Sequence, residues 1–393
     1  MEPLSEHETR QFLRHAFRVR SLVIFDDERL SLLTAFPPET CLFPKLLALN
    51  WHPADTRYLR LVLSPSLRRC VLPYVCSGFE SIATCCPVLE DLCIAYMGRT
   101  AYNASLLSNT VRSCTRLVTL QVPYLDFAAW KHLSNLSTLL TVKISHDVCR
   151  SMDWDDLDFA PFLNLTVLSF HARVTTDIIT VIRHSEFPSL KEFSMYVDHL
   201  PWAEAEQLFH ALSQCKACRT LESIFIRSYD QTVQESPSNS LTVVKYFFCF
   251  MQLETLLLQV RFAMYLDNVF LLEAMSRWPQ IRYLEFWDMH RHPPTITFGG
   301  LFSALRLRPH LRHLCVPLDL VNINIDPEFN LFQHTSLRTF DIGCSHIENP
   351  KAVAQIISAT LPCVRMVGCY SGDSHLLPEV NRILLYEPEA TGP

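Results

Sequence analysis

The chain has 393 residues, 49% of them hydrophobic and 19% charged, with a formal net charge of −6. That much apolar content excludes a disordered segment, and the acidic balance argues against a general nucleic-acid binder, which needs a basic stripe. The length exceeds the usual size for one globular core, so the apolar residues must be distributed in some other way.

The opening stretch, MEPLSEHETR, is charged where a secretory signal would need an apolar run, so export is not expected. Residues 1–18 read as a helical cap or linker. Arg10, Arg14, Arg18 and Arg20 stand at helical spacing within and just after it and are expected to form a solvated face. From Val19 onward three apolar positions recur as L-x-x-L-x-L. The clearest copies are Leu89, Leu92, Ile94; Leu117, Leu120, Val122; Leu165, Leu168, Phe170; and Leu253, Leu256, Leu258. Weaker copies begin at Val19, Leu46, Leu67, Leu139, Leu190, Leu221, Ile281, Leu311, Leu337 and Val364. The mean period of about 26 to 27 residues lies in the range of leucine-rich repeats.

The spacing has a physical reading. Positions four and six of each copy are two apart, so in a strand they share one face, and positions five and seven share the other. Seven copies carry a proline two residues before the first apolar position, at Pro44, Pro65, Pro87, Pro188, Pro279, Pro309 and Pro362. Such a proline is expected to stop a preceding helix before the strand begins. Between strands the period becomes helical. Ala205, Leu208, Phe209 and Leu212 share a face behind Pro201, Asp267 is placed to cap a helix running to Arg277, and Asn349 with Pro350 starts another carrying Val353, Ile356 and Ile357. The long intervals around 229–240 and 289–297 carry turn residues and are expected to be loops. Strands that recur after each helix must be parallel. The expected fold is therefore an α/β leucine-rich-repeat solenoid over residues 19–372, with a curved parallel sheet inside and helices outside, closed by a cap and tail at 373–393.

Fifteen cysteines invite a disulfide reading. Yet Cys86, Cys114 and Cys218 occupy the slot three residues before a repeat, where other copies use Phe162 or Phe250. They are read as small buried hydrophobes in the cytoplasm or nucleus, where thiols stay reduced. By the same reasoning His210, Cys215 and Cys218 are packing residues rather than three zinc ligands, since no fourth donor follows in register. Asp153, Asp155, Asp156 and Asp158 lack the glycine and closing glutamate of a calcium loop. The apolar run 241–260 is interrupted by Lys245 and Glu254, so no membrane span is expected. With eight glycines the chain has neither a phosphate-cradling loop nor a nucleophile elbow, and His290 and His292 read as surface residues of a loop. No enzyme, metal or cofactor is expected.

The C/F/W-P-x-L-x-x-L copies, together with the opening stretch HETRQFLRHAFRVRSLVIFD, resemble the F-box and leucine-rich-repeat proteins abundant in basidiomycete fungi. In those proteins a segment ending in a similar R-V-R-x-L, here Arg18, Val19, Arg20 and Leu22, joins an N-terminal F-box to the repeats. The resemblance implies a substrate receptor: the repeats hold a target while the F-box docks onto the Skp-type adaptor of a cullin ubiquitin ligase. The 18 residues before Val19 are too few for an F-box, so that link is expected only if one lies upstream of Met1. The alternative is a free-standing repeat scaffold or inhibitor.

The expected partner is a protein held on the concave face, with neither nucleic acid nor membrane involved. Position seven places His171, Tyr196, Arg227, Trp287 and Tyr370 on that face, and position five adds Phe225 and Glu285. Aromatic and arginine side chains carry interface energy disproportionately. Position eight holds Tyr74, Tyr96 and Tyr124 in three successive copies, a candidate phenol ladder along one rim.

Overall fold

Each of the fourteen copies forms one strand: β1 Ser21–Ile24, β2 Ala48–Trp51, β3 Arg69–Tyr74, β4 Asp91–Tyr96, β5 Thr119–Val122, β6 Thr141–Ile144, β7 Val167–Ala172, β8 Glu192–Val197, β9 Ser223–Ser228, β10 Thr255–Val260, β11 Tyr283–Asp288, β12 His313–Cys315, β13 Thr339–Asp341 and β14 Val367–Gly368. The computed structural model describes residues 5–28, 30–53, 55–76, 78–96, 100–145, 159–173, 175–229, 241–262, 264–288, 293–323, 332–343, 345–369 and 375–386. The expectations for Asp153 to Asp158, for His290 and His292, for the loop at 230–240 and for Tyr370 lie outside them, as does the Cys218 side chain. The helices are α1 Glu6–Ala16, α2 Leu59–Val62, α3 Glu80–Cys85, α4 Ala101–Ser113, α5 Phe127–Ser134, α6 Thr176–His184, α7 Trp202–Gln214, α8 Leu241–Val244, α9 Asn268–Arg277, α10 Phe298–Arg306, α11 Pro350–Thr360 and α12 Leu377–Tyr386. This alternation of strand and helix is a leucine-rich-repeat solenoid.

The chain divides into two compact units, Met1–Arg173 with His184–Leu190, and Val174–Arg183 with Lys191–Pro393. In the first, β1 to β7 pair in parallel and in chain order. The position-four residues Leu22, Leu49, Cys70, Leu92, Leu120, Val142 and Leu168 stand opposite one another. In the second, β8 to β14 do the same through Phe193, Ile224, Leu256, Leu284, Leu314, Phe340 and Val367. From Leu49 to Val367 these side chains are buried, whereas Leu22 and Ile24 on the first strand are only half-buried. Each buried leucine contributes about 1.5–3 kcal/mol of transfer free energy, so the repeat is itself the source of the core.

The prolines follow the sequence expectation and add a turn to it: the residues before Pro87, Pro279 and Pro362 close α3, α9 and α11 in non-helical geometry. In every proline-bearing copy the N–H of the first apolar residue bonds the carbonyl just before the proline, as in Leu46 to Phe43 at 2.9 Å, Leu89 to Cys86 at 3.2 Å, Ile281 to Trp278 at 3.2 Å and Val364 to Leu361 at 2.9 Å. The proline therefore occupies the second position of a four-residue turn, where its fixed φ is already suitable. Several copies without proline make the same turn, as Leu253 to Phe250 does at 3.2 Å, whereas Leu221 N reaches one residue further back, to Ala217 O at 3.0 Å. At Leu337 a side chain replaces the carbonyl: its N–H donates to His334 Nδ1 at 3.2 Å, so the other ring nitrogen carries the proton and faces Arg308 O at 2.8 Å.

The slot before the turn is core. Phe43, Cys86, Cys114, Phe162, Phe187, Phe250, Trp278 and Leu361 are all buried there, with Phe162 stacked on Phe187 at 5.2 Å. Burial pushes the Cys86 thiol up to about 12 and that of Cys114 to about 11. Helix starts follow the sequence. Asp267 accepts from Phe270 N at 2.6 Å and Asn349 from Ala352 N at 3.0 Å, while Ser5 and Glu8 form a capping box at the start of α1. Ile356 is half-buried, and Val353 and Ile357 carry the inner face of α11. No helix among the described residues is long and apolar enough to cross a membrane.

Candidate functional site

Strand pairing in the second unit gathers the position-five and position-seven side chains into a grid on the sheet face opposite the core. Tyr196 stands opposite Arg227, Arg227 opposite Gln259, and Gln259 opposite Trp287. The neighbouring row runs Ser194, Phe225, Leu257, Glu285. With adjacent strands about 4.8 Å apart, side chains in one row are near neighbours across β8 to β11. Tyr196, Phe225, Arg227, Leu257 and Trp287 are each half-buried, which leaves part of every one accessible. The Arg227 guanidinium lies 5.0 Å from the ring centre of Tyr229, while its Nε is buried and has no hydrogen bond among the described residues. A patch of three aromatic side chains, a leucine and a guanidinium held by a rigid sheet can bury apolar surface and still satisfy a carbonyl or carboxylate from outside.

Glu285 departs from its expected role. Sequence offset places it on the open face, but it is 3% exposed and accepts a hydrogen bond from the Tyr283 hydroxyl at 2.7 Å. His313 stacks on Tyr283 at 3.9 Å with the rings nearly parallel, bringing its Nε2 to 3.4 Å from Glu285 and 4.0 Å from Asp341. Cys315 and Asp341 complete a cluster that is buried throughout except at the half-buried Tyr283. Burial, and then the bond to Glu285, hold the Tyr283 phenol above its ordinary range, so it remains a donor. Gly368 makes room, because a Cβ there would overlap the Asp341 carboxylate. This cluster braces the end of the grid and offers little accessible surface to a partner.

In the first unit the tyrosines separate by depth. Tyr74 and Tyr96 are register partners on β3 and β4. Tyr74 is half-buried and its hydroxyl donates to Pro53 O at 3.3 Å, whereas Tyr96 is 62% exposed. Tyr124 lies beyond the end of β5 and is half-buried, and His171 is exposed on β7.

No protein-family model matches the chain, and no curated protein matches it. Among solved structures it is similar to an internalin from Listeria monocytogenes, 13% identical, with 92% of this chain and 89% of that chain covered and a TM-score of 0.48.

Of the remaining histidine and cysteine pattern, Cys215 is core as expected and His210 is not. His210 is exposed on α7 with its ring 5.2 Å from that of Tyr246, and Cys215 is buried at the end of the same helix. Sequence reasoning missed Leu257, Tyr229 and the Tyr283–His313 pair. The first two sit at positions five and nine of their copies, and the pair at position three of consecutive copies. A reading of those offsets as continuous rows would have found them.

Proposed function

We propose that the chain is a non-catalytic protein-binding module whose residues 19–372 hold a partner protein against the open face of β8 to β11. The observation that supports this best is the register row Tyr196, Arg227, Gln259, Trp287 with Phe225 and Leu257 beside it; apart from the buried Gln259 these are partly accessible anchors of the kind that dominate interfaces. Tyr96, with Tyr74 and Tyr124, and separately His171 are further candidate contacts in the first unit. The finer reading, from the resemblance to F-box and leucine-rich-repeat proteins, is the substrate-recognition array of a ubiquitin-ligase receptor, with Skp-type adaptor and cullin joining only where an F-box is present. The free thiols of Cys70, Cys86 and Cys114 in the core are compatible with a reducing compartment, cytoplasm or nucleus.

Affinity capture with the intact chain, read by quantitative mass spectrometry, tests both levels. A partner that depends on the open face drops about tenfold or more with the double variant Arg227→Ala/Trp287→Ala and stays with Val269→Ala on α9, at unchanged melting temperature. Loss with Tyr96→Ala as well extends the surface to the first unit. A Skp-type adaptor in the same capture supports the receptor reading, and its absence favours the free-standing scaffold. Equal capture by all variants would refute the binding face.

A further inference from the structure

Position two of the repeat forms a row along the edge where the strands begin, separate from the open-face grid. Successive residues are tied by the backbone: Arg282 N bonds Glu254 O at 2.8 Å, Arg312 N bonds Arg282 O at 2.8 Å, and Arg338 N bonds Arg312 O at 2.9 Å. As far as Arg282, the first of the last four copies, carboxylates in the row offset its cations, with Arg68 to Glu90 at 3.1 Å, Lys191 to Glu222 at 2.8 Å and Arg282 to Glu254 at 3.7 Å. In the last four copies it reads Arg282, Arg312, Arg338, Arg365. The β13–β14 register carries Arg365 to the place opposite Arg338. All four are exposed, and among the described residues none of the last three has a carboxylate within ion-pair distance. The adjoining turns contribute Gln280, His310, Ser336 and Cys363, none of them acidic.

Like charges directly opposite one another on neighbouring strands repel, and here three such steps follow in a chain whose net charge is −6. At about 4.8 Å per step the row spans on the order of 14 Å. We propose that this arginine row is a docking edge for an acidic, Asp/Glu-rich peptide segment of a partner protein. An extended peptide presents same-side carboxylates about 7 Å apart. Long guanidinium side chains cover that interval, each able to grip a carboxylate with two parallel hydrogen bonds. A single-stranded nucleic acid would match the charge but wants rings for its bases. The side chains flanking the row at position three, Thr339 and the exposed Met366, offer no aromatic platform, and the rings of Tyr283 and His313 are occupied by each other.

Fluorescence anisotropy of the full chain with a labelled oligo-glutamate peptide tests the proposal, with oligo-glutamine and oligo-thymidylate as parallel probes. The expected result is saturable, salt-sensitive binding of oligo-glutamate, weakened about tenfold or more by Arg312→Glu/Arg338→Glu and unaffected by Arg227→Ala/Trp287→Ala. The reversal removes a repulsion, so the variant should melt no lower than the parent, which separates lost docking from lost folding. Equal binding by parent and reversed chain, no binding by the parent, or tighter binding of oligo-thymidylate than of oligo-glutamate would overturn it. The unaffected Arg227→Ala/Trp287→Ala control keeps this outcome independent of the open-face reading.

Discussion

Cys114 shows how a single slot sets a residue's chemistry. It is 5% exposed, and burial alone pushes its thiol up to about 11, so it packs as a small apolar group and offers almost no thiolate at neutral pH. Alkylation of the folded chain at pH 8, mapped by mass spectrometry, should label the exposed Cys249 and Cys363 and spare Cys70, Cys86 and Cys114. Cys114→Ser should lower stability by about 1–3 kcal/mol in denaturant unfolding, through burial of a hydroxyl. Tyr283 is the polar counterpart. Tyr283→Phe removes the donor that satisfies the buried Glu285 and should cost about 1–3 kcal/mol in the same measurement. At this scale the sequence told which face a residue occupies, because side-chain direction in a strand depends only on parity. It did not tell depth. Glu285 and Phe225 share position five, yet one is sealed beneath a Tyr–His stack and the other is half-accessible, a difference set by neighbours some thirty residues away in sequence.

Elements were legible where the signal was local. All fourteen strands fall on their copies, and Pro201, Asp267 and Asn349 start the helices they were expected to start, since caps and first-turn prolines act within four residues. The prolines before the strands close α3, α9 and α11 as expected, and the turn that each of them also opens was not foreseen, because a helix stop and a turn use the same fixed φ. Contacts between helices were not legible. Asn268 at the start of α9 donates to Thr297 Oγ1 at 3.1 Å and accepts from Thr297 N at 2.9 Å, tying α9 to the cap of α10. Gly300 lets the two approach, since a Cβ there would collide with the Asn268 side chain. Gly300→Ala should therefore lower stability by about 1–3 kcal/mol despite better helix propensity. Combined with Asn268→Ala the losses should be clearly less than additive in a double-mutant cycle, because both act on one contact.

For the whole molecule, the repeat separates three tasks by position: four and six hold the core, five and seven on β8 to β11 present the proposed binding face, and two carries the strand-edge charge. The first was readable because a two-residue period recurs fourteen times. The second was readable as a set of residues, though not as a grid, since register is needed to align Tyr196, Arg227, Gln259 and Trp287. The third escaped because net charge averages over a row whose signs cancel in early copies and accumulate in late ones. The most direct measurement of the central claim is oxidative footprinting of the chain alone and in complex with its captured partner. Tyr196, Phe225, Tyr229 and Trp287 should lose reactivity together on binding, while the exposed Tyr102 on α4 and Tyr386 on α12 keep theirs. Protection of the helix tyrosines with an unchanged open face would contradict the account.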